Sequence, residues 1–141
     1  YMVKSVLNRI AKHADVFTCR ASGNTEWVAR DFQTVRTHLQ SVGRDPATLE
    51  LAHVQAGYVV DTADSNKALS IQRKPMETIM GHNRDWDHLQ ECYLVGSIDD
   101  IVEKLKFLEN HGLEHVTIQP AGPEMEQLDL WMDKIIEPFF R

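Results

Sequence analysis

The sequence contains no long apolar run, no cluster of basic residues and no segment of low complexity. None of its apolar stretches approaches the roughly 20 residues that a membrane-spanning helix requires, and no signal peptide opens the chain. Its 15 lysines and arginines are scattered among 21 aspartates and glutamates, which gives a net charge of −6. Nucleic-acid binding requires clustered basic side chains. We therefore expect a cytoplasmic protein that binds neither nucleic acid nor a membrane.

The sequence also lacks the short motifs that carry phosphate binding or nucleophilic catalysis. It has no P-loop, no GxGxxG fingerprint and no nucleophile elbow. Its two cysteines, Cys19 and Cys92, are far apart and form no CxxC pair. Free thiols in a reducing compartment are the simplest interpretation of this pattern.

Seven histidines raise the question of a metal site. His111 and His115 are four residues apart, but Gly112 ends a predicted helix between them, so they do not share a helical face. His82 and His88 lie in or near a loop, without a cysteine or carboxylate at ligand spacing. Because a closed metal site needs three or four converging ligands, the pattern predicts no metal binding.

The 141 residues are 43% hydrophobic and 26% charged, which is typical of one globular domain with its own core. Apolar positions at helical spacing alternate with short β-branched segments. Strands are predicted over Val16–Cys19, Leu49–Asp61 and Glu114–Pro120. Helices are predicted over Met2–His13, from Asn24 to Gly43, from Asp61 or Thr62 onward, over Trp86–Cys92, from Ser97 to Gly112, and from Pro123 or Glu124 to Pro138. This alternation indicates an α/β protein with a parallel sheet.

Four local features are predicted as well. The helix that begins at Asn24 should bury an apolar stripe of Trp27, Val28, Phe32, Val35, Leu39 and Val42. Gly57 should mark a bulge in the second strand, and Pro75 should kink or end its helix. Ser97 should cap the following helix, with Asp100 completing a motif close to a capping box.

The carboxyl ends of parallel strands form the ligand-binding face of α/β folds. Cys19 and Arg20 follow the first predicted strand, and Gln119 ends the last one. We expect these residues to lie at one edge of the sheet. Cys19 is either a reactive thiol or a small packing residue, and Gln119 is either a ligand contact or a rim residue bonded to a neighbour.

Three segments resemble one known family. The stretch "RIAKHADVFTC" is similar to a helix followed by a barrel strand in bacterial luciferase-like flavin-dependent oxidoreductases, and "LQSVGRDPATLEL" is similar to their turn between a helix and the next strand. The stretch "HLQECYLVGSIDDIVEKLKFLENHGLEHVTIQPAGP" resembles the C-terminal segment of the family almost end to end. All three occur in the family's order and together cover nearly the whole chain.

The resemblance implies a (β/α)8 TIM barrel that binds FMN or a deazaflavin coenzyme and acts on a small organic substrate as an oxidoreductase or monooxygenase. A full barrel needs roughly 250 residues. The chain therefore corresponds to a single partial barrel domain over residues 1–141, with about strands six to eight and their helices. We expect it to be inactive without the N-terminal half, and to form a homo-oligomer or a complex with a chain that supplies the rest. The alternative is a non-catalytic, self-associating remnant that binds no flavin.

The resemblance also implies candidate site residues. The family's phosphate loop would precede Tyr1, so the helix N-terminus at Tyr1 and Met2 would face the cofactor phosphate. The loop Gly81–Asp87 corresponds to a segment that often covers the active site, where Arg84 is either a contact to an anion or a solvated side chain. The expected cofactor-binding residues are Tyr1, Met2, Cys19, Arg20 and Gln119, and the expected substrate-binding residues are Arg84, Pro120 and Gly122. No catalytic residue is assigned.

Overall fold

The computed structural model describes residues 2–81, 84–122 and 125–140. Three strands alternate with helices in chain order, and a short 3-10 helix, Pro46–Thr48, precedes the second strand. The strands are β1 (Val16–Cys19), β2 (Glu50–Gly57) and β3 (His115–Pro120). The helices are α1 (Lys4–His13), α2 (Thr25–Ser41), α3 (Ser65–Met80), α4 (Trp86–Cys92), α5 (Ile98–Asn110), α6 (Glu126–Trp131) and α7 (Glu137–Phe140), with a π-helical segment, Met132–Ile136, between the last two. The predicted α/β alternation is confirmed.

The sheet has three parallel strands in the order β1-β2-β3. The register of the first pair runs from Val16 opposite Glu50 to Cys19 opposite His53. Consecutive neighbours in a parallel sheet require a crossover, and the helices between the strands supply it. The parallel arrangement, on which the predicted grouping of the strand ends depends, is thereby confirmed.

The chain divides into two compact units. The first comprises Tyr1–Val54 and Phe107–Thr117, and the second comprises Gln55–Lys106 and Ile118–Arg141. β2, β3 and α5 contribute residues to both units. The cores, caps and cavities below are described within each unit.

The core of the first unit forms between α1, α2 and the two strands β1 and β2. Its buried residues are Ile10, Cys19, Val28, Phe32, Val35, Leu39, Leu49, Leu51 and Leu108. The α2 members recur at positions three, four and seven residues apart, which is the apolar stripe predicted from the sequence. Two residues assigned to that stripe, Trp27 and Val42, are instead 46% and 53% exposed. They lie at the two ends of α2, where the helix extends beyond the packed core.

The core of the second unit surrounds the end of β2. Its buried residues are Ala56, Met76, Leu89, Cys92, Tyr93, Val95 and Ala121. Here Gly57 forms an isolated parallel bridge with Leu94, and its carbonyl accepts a hydrogen bond from the Ala121 amide. The bridge lets the chain between α4 and α5 pair briefly with β2.

The starts of α2 and α5 follow the sequence signals, whereas α3 begins at Ser65 after an Asp64 cap and not at Asp61 or Thr62 as predicted. The Asn24 side chain caps α2 by accepting a hydrogen bond from the Trp27 amide, at 2.9 Å. Before α5, the Ser97 amide donates to the Asp100 carboxylate and the Asp100 amide donates to the Ser97 hydroxyl. This reciprocal pair is the predicted capping box.

The sequence predicts that Pro75 kinks or ends its helix and that Pro138 ends the last one, but neither helix ends at its proline. Pro75 lies inside α3, which continues to Met80 because Gln72 and Met76 are fully buried on either side of it. Pro138 is the second residue of α7, which directly follows the π-helical segment, and the helix continues through it, since Trp131, Met132 and Glu137 all have right-handed helical φ and ψ angles. The predicted bulge at Gly57 is also wrong, since β2 ends at this residue.

Candidate functional site

The loop after β1 and the first turns of α2 enclose a cavity of about 390 Å³. We call it the arginine cavity; it is lined by Met2, Arg20, Trp27, Arg30, Asp31 and Thr34. The four α2 residues are spaced at i, i+3, i+4 and i+7, so they lie on one face of the helix. The adjoining face of α2, which includes Phe32 and Val35, is buried and fixes the orientation of the lining face.

The charges of the arginine cavity are unevenly paired. The Arg20 guanidinium lies 3.3 Å from the Asp31 carboxylate and stacks over the Trp27 ring, 5.1 Å from its centroid. In the part of the chain that the structure describes, the Arg30 guanidinium has no ion pair or hydrogen bond. The cavity therefore carries one neutralised arginine and one available arginine, a combination that attracts an anion.

The thiol of Cys19 lies behind the arginine cavity. It is 4% exposed and donates a hydrogen bond to the Asp31 carboxylate, with 3.5 Å between sulfur and oxygen. Burial, together with the neighbouring Asp31 charge, raises the pKa of Cys19 to about 12. A thiol with such a pKa is protonated near neutral pH and is a poor nucleophile.

A second cavity, of about 330 Å³, lies in the second unit beside the end of β2. We call it the α3 cavity; it is lined by Tyr58, Ile71, Lys74, Pro75, Thr78, Ile79 and Gly122. Tyr58 directly follows β2, and Gly122 follows β3 by two residues. Both are thus at carboxyl ends of parallel strands, the position where α/β folds bind ligands.

Two buried glutamines hold the chain segment that leaves β2. The Gln72 amide nitrogen donates to the carbonyls of Tyr58, at 2.7 Å, and Gly96, at 2.9 Å, and its oxygen accepts from the Gly96 amide, at 2.8 Å. Gln127 bonds both the amide and the carbonyl of Val59, at 2.8 and 3.0 Å. Beyond the Tyr58 amide, which donates to the Leu94 carbonyl at 3.4 Å, these side chains replace the ladder that a longer strand would have made.

Lys104 performs a comparable role beneath α4. Its ammonium group donates to the carbonyls of Gln90, Tyr93 and Val95, at 2.8, 2.9 and 3.4 Å. Burial lowers the pKa of Lys104, although the charge of Asp100 opposes that change. The three carbonyls satisfy the ammonium, which explains a lysine in this half-buried position.

The structure brings some of the predicted site residues together. Met2 and Arg20 line the arginine cavity, and Gly122 lines the α3 cavity. Gln119 is exposed on β3, and Pro120 is half-buried at the end of that strand. Tyr1 lies outside the described residues.

The predicted lid loop is described only in part, because His82 and Asn83 lie outside the described residues. Arg84 is exposed, and its guanidinium donates a hydrogen bond to the hydroxyl of Tyr93, which is 3% exposed. The Asp85 side chain caps α4 by accepting from the His88 amide. Arg84 is thus attached to the core of the second unit through Tyr93.

Sequence reasoning missed most of the residues that line the two cavities. Trp27 was assigned to the apolar stripe, and Arg30, Asp31 and Lys74 were not singled out. The i, i+3, i+4, i+7 spacing from Trp27 to Thr34 is a signal that would have revealed the arginine face. The sequence signal for the α3 cavity is weaker. It consists of Ile71 and Ile79, which lie four positions before and after Pro75 on a helix with a separate set of buried residues.

The described residues contain no helix long and apolar enough to cross a bilayer. They also contain no group of three or more histidine, cysteine, aspartate or glutamate side chains placed to hold a metal ion. His111 and His115 bond the Phe107 carbonyl and the Glu50 carboxylate instead.

No protein-family model and no curated protein sequence matches the chain. Solved structures do match it in fold. A coenzyme F420-dependent tetrahydromethanopterin reductase from Methanopyrus kandleri superimposes with a TM-score of 0.67 at 16% identity, covering 96% of this chain and 48% of the reductase. A riboflavin lyase with modified FMN and riboflavin superimposes with a TM-score of 0.66 at 8% identity, covering 95% and 40%. A monooxygenase from Streptomyces bottropensis gives a TM-score of 0.65 at 14% identity, covering 96% and 45%.

The chain spans less than half the length of each of these three structures. At these identities the likeness concerns the fold. The matching structures are luciferase-like enzymes with TIM-barrel folds, and the match extends over nearly all of this chain. Its α/β structure with a parallel three-stranded sheet is consistent with part of such a barrel, which is the fold implied by the sequence resemblance.

Proposed function

We propose that the chain is the C-terminal portion of a luciferase-like oxidoreductase or monooxygenase that uses FMN or a deazaflavin coenzyme. In this proposal β1, β2 and β3 correspond to about strands six to eight of a (β/α)8 barrel. The likeness of nearly the whole chain to F420- and FMN-associated enzymes supports it. The sequence resemblance, which depends on three segments in the family's order, is a separate line of support.

The observation that carries the proposal is the arginine cavity at the carboxyl end of β1. An FMN or deazaflavin coenzyme carries a phosphate, and this cavity offers the available guanidinium of Arg30 beside that of Arg20. Met2, two residues before α1, lines the same cavity, so the amides at the start of that helix are nearby. The Asp31 carboxylate is bonded to Arg20 and Cys19, which offsets its repulsion of an anion.

In this role the protein's own residues bind and orient. Arg30 and Arg20 hold the phosphate, and the Trp27 ring keeps the Arg20 guanidinium in place by stacking. Gln119, exposed on β3, is proposed as a contact to the cofactor ring or the substrate, and Pro120 and Gly122 as substrate contacts. The bound flavin or deazaflavin supplies the hydride or oxygen chemistry, and the chain supplies position and charge.

The proposal is tested by titrating the purified 141-residue chain with FMN, with coenzyme F420 and with riboflavin, following cofactor fluorescence. We expect saturable binding of FMN or F420, and weaker binding of riboflavin because it lacks the phosphate. The substitution Arg30→Gln should weaken binding about tenfold or more, since it removes a charge-assisted contact. Arg9→Gln is the matched control, because it removes the same charge from an exposed site on α1 outside the cavity.

Two results would overturn this assignment. One is the absence of saturable binding for all three compounds, which would favour the alternative of a self-associating remnant that binds no flavin. The other is equal binding by the Arg30→Gln chain, which would remove the arginine cavity from the proposal.

The proposed partners are a small organic substrate and either further copies of the chain or a chain that supplies the remaining strands. A cytoplasmic location is proposed as well. The two cysteines are free thiols, which suits a reducing compartment. Activity without the other strands is not expected, because a barrel site takes residues from several different strands.

A further inference from the structure

We propose that the α3 cavity binds the substrate, and that this substrate is an amphiphilic anion, with a small apolar body and one carboxylate or similar oxyanion. The inference rests on the proposed function, because it names the substrate class of that enzyme. It depends on different residues, however, since all of the cavity lies in the second unit.

The border of the buried face of α3 is apolar. The inner face of this helix is already buried through Ala68, Gln72 and Met76. Ile71, Pro75 and Ile79 border this buried face, because they follow Ala68, Gln72 and Met76 by three positions each. The two isoleucines are nevertheless 45% and 38% exposed. They therefore extend the apolar surface of α3 to a border that stays open to solvent, where the apolar body of a ligand can cover it. The cavity of about 330 Å³ beside these three residues matches the size of a small-ligand site.

The charge of the cavity selects an anion. Lys74 is the one charged side chain among its described lining residues, and no carboxylate is present there to neutralise it. The nearest acidic residue along α3, Glu77, forms a salt bridge with Arg73 at 2.9 Å. A ligand with an apolar body and an anionic end would match the isoleucines and the ammonium together.

Rigidity of the cavity wall comes from Gln72. This fully buried residue lies next to Ile71 in sequence and two residues before Lys74, and it bonds the Tyr58 carbonyl at 2.7 Å. It thereby fixes the spacing between α3 and Tyr58, two walls of the cavity. A site whose walls are held before the ligand arrives loses less entropy on binding. Gln72 is therefore a positioning residue in this proposal.

The experiment uses octanoate, octylammonium and octanol as probes of the full chain, with amide chemical shifts recorded by NMR. We expect octanoate to bind saturably and to shift the amides of Tyr58, Lys74 and Gly122. Octylammonium should not bind there, and octanol should bind more weakly than octanoate. Lys74→Gln should weaken octanoate binding about tenfold, and Lys74→Arg should preserve it. The control, Lys67→Gln, removes the same charge from an exposed site on α3 outside the cavity.

The inference is overturned if octanoate causes no saturable shifts, if octylammonium binds equally well, or if Lys74→Gln and Lys67→Gln weaken binding to the same extent. Lys74 is exposed, so its substitution leaves the folded chain intact for the comparison. Failure here is distinguishable from failure of the proposed function, because cofactor binding is measured separately and depends on Arg30. If the chain binds FMN or F420 but not octanoate, the proposed enzyme function stands and the proposed class of substrate is wrong.

Discussion

At the scale of single residues, the hydrogen bond between Cys19 and Asp31 determines what the strand end can do. A thiol at the carboxyl end of a strand is placed where a nucleophile could act on a ligand. The pKa of Cys19 is raised to about 12, however, and burial is the largest cause. The Asp31 charge adds to this effect, and Arg20 opposes it. We interpret Cys19 as a packing and orienting residue that supports the Asp31 carboxylate.

We predict that Cys19 of the native chain resists alkylation at pH 9, where a thiol with the ordinary pKa of 9.0 is half ionised. Roughly one Cys19 in a thousand would be ionised at that pH. Asp31→Asn should accelerate its alkylation, because the substitution removes the second largest cause of the raised pKa. Peptide mass spectrometry after timed iodoacetamide treatment separates Cys19 from Cys92. Equal rates in both chains would contradict the role given to Asp31.

The same shift has a consequence for stability. The thiol of the unfolded chain loses its proton around pH 9.0, whereas that of the folded chain does so around 12. The folded state therefore binds this proton more tightly. The contribution of the protonated thiol to the free energy of unfolding is present below pH 9.0 and is lost as the pH rises toward 12.

At the scale of elements, Gly57 explains why β2 ends where it does. A Cβ atom at this position would lie 2.6 Å from the Leu94 carbonyl oxygen and 2.7 Å from the Trp131 ring. Glycine is therefore required by close approach of the neighbouring chain. The sequence predicted a bulge here because glycine inside a strand pattern often marks one, and the neighbour that causes the close contact is 37 residues later in the chain.

We predict that Gly57→Ala lowers the free energy of unfolding by about 1–3 kcal/mol, because the added methyl group meets backbone that must shift. Chemical denaturation followed by tryptophan fluorescence measures the change. Gly23→Ala is the control, since a Cβ atom at Gly23 would meet its nearest atoms at 3.5 Å, an ordinary contact. Equal stability of the two variants would contradict the close approach at Gly57.

The capping box of α5 gives a pH-dependent prediction. Burial tends to raise the pKa of Asp100, but hydrogen bonds from Ser65 and Ser97 and the charge of Lys104 outweigh it, so the pKa is lowered from 3.8. The stability that this carboxylate contributes is present above pH 3.8 and is lost as the pH falls through the lower, folded-state value. Asp100→Asn should lower the free energy of unfolding by about 1–2 kcal/mol at neutral pH and flatten its decline below pH 3.8.

Denaturation curves collected from neutral pH to below 3.8 for both chains test this prediction. Asp99→Asn is the matched control, because Asp99 lies in the same first turn of α5. If the free energy of unfolding varies with pH in the same way for both substitutions, the capping role of Asp100 is contradicted.

The elements that local signals specify were predictable from sequence, and those that depend on distant neighbours were not. α4 was predicted with its observed bounds, and the cap of α2 at Asn24 and the capping box of α5 depend on residues within one helical turn. The continuation of α3 through Pro75 depends on burial of Gln72, whose partners Tyr58 and Gly96 are 14 and 24 residues away. The two cavities likewise required the tertiary structure, since loops and helix faces combine to form them.

At the scale of the whole molecule, the described sheet has three strands, so β1 and β3 form its edges. Val16 on β1 and Val54 on β2 are 46% and 39% exposed. Open edges and exposed apolar strand residues favour association with another chain. In a complete barrel, further strands would pair with both edges, and helices or the closed interior would cover the faces of the sheet.

We therefore predict that the 141-residue chain is not a monomer at micromolar concentration. Sedimentation velocity should give a mass that is a multiple of 16.2 kDa. Val54→Thr should shift the distribution toward smaller species, because it places a hydroxyl on an exposed apolar strand position. A stable 16.2 kDa monomer over the whole concentration range would contradict this prediction.

The measurement that tests the central claim most directly is an amide chemical-shift titration of the chain with FMN, alongside one with F420. If the chain is part of a flavin- or deazaflavin-dependent enzyme, saturation with one of these cofactors should shift the amides around the arginine cavity, at Met2, Arg20 and Arg30. Riboflavin at the same concentration should cause smaller shifts there, because it has no phosphate. No saturable shifts with either cofactor, or shifts confined to residues away from Arg20 and Arg30, would contradict the claim.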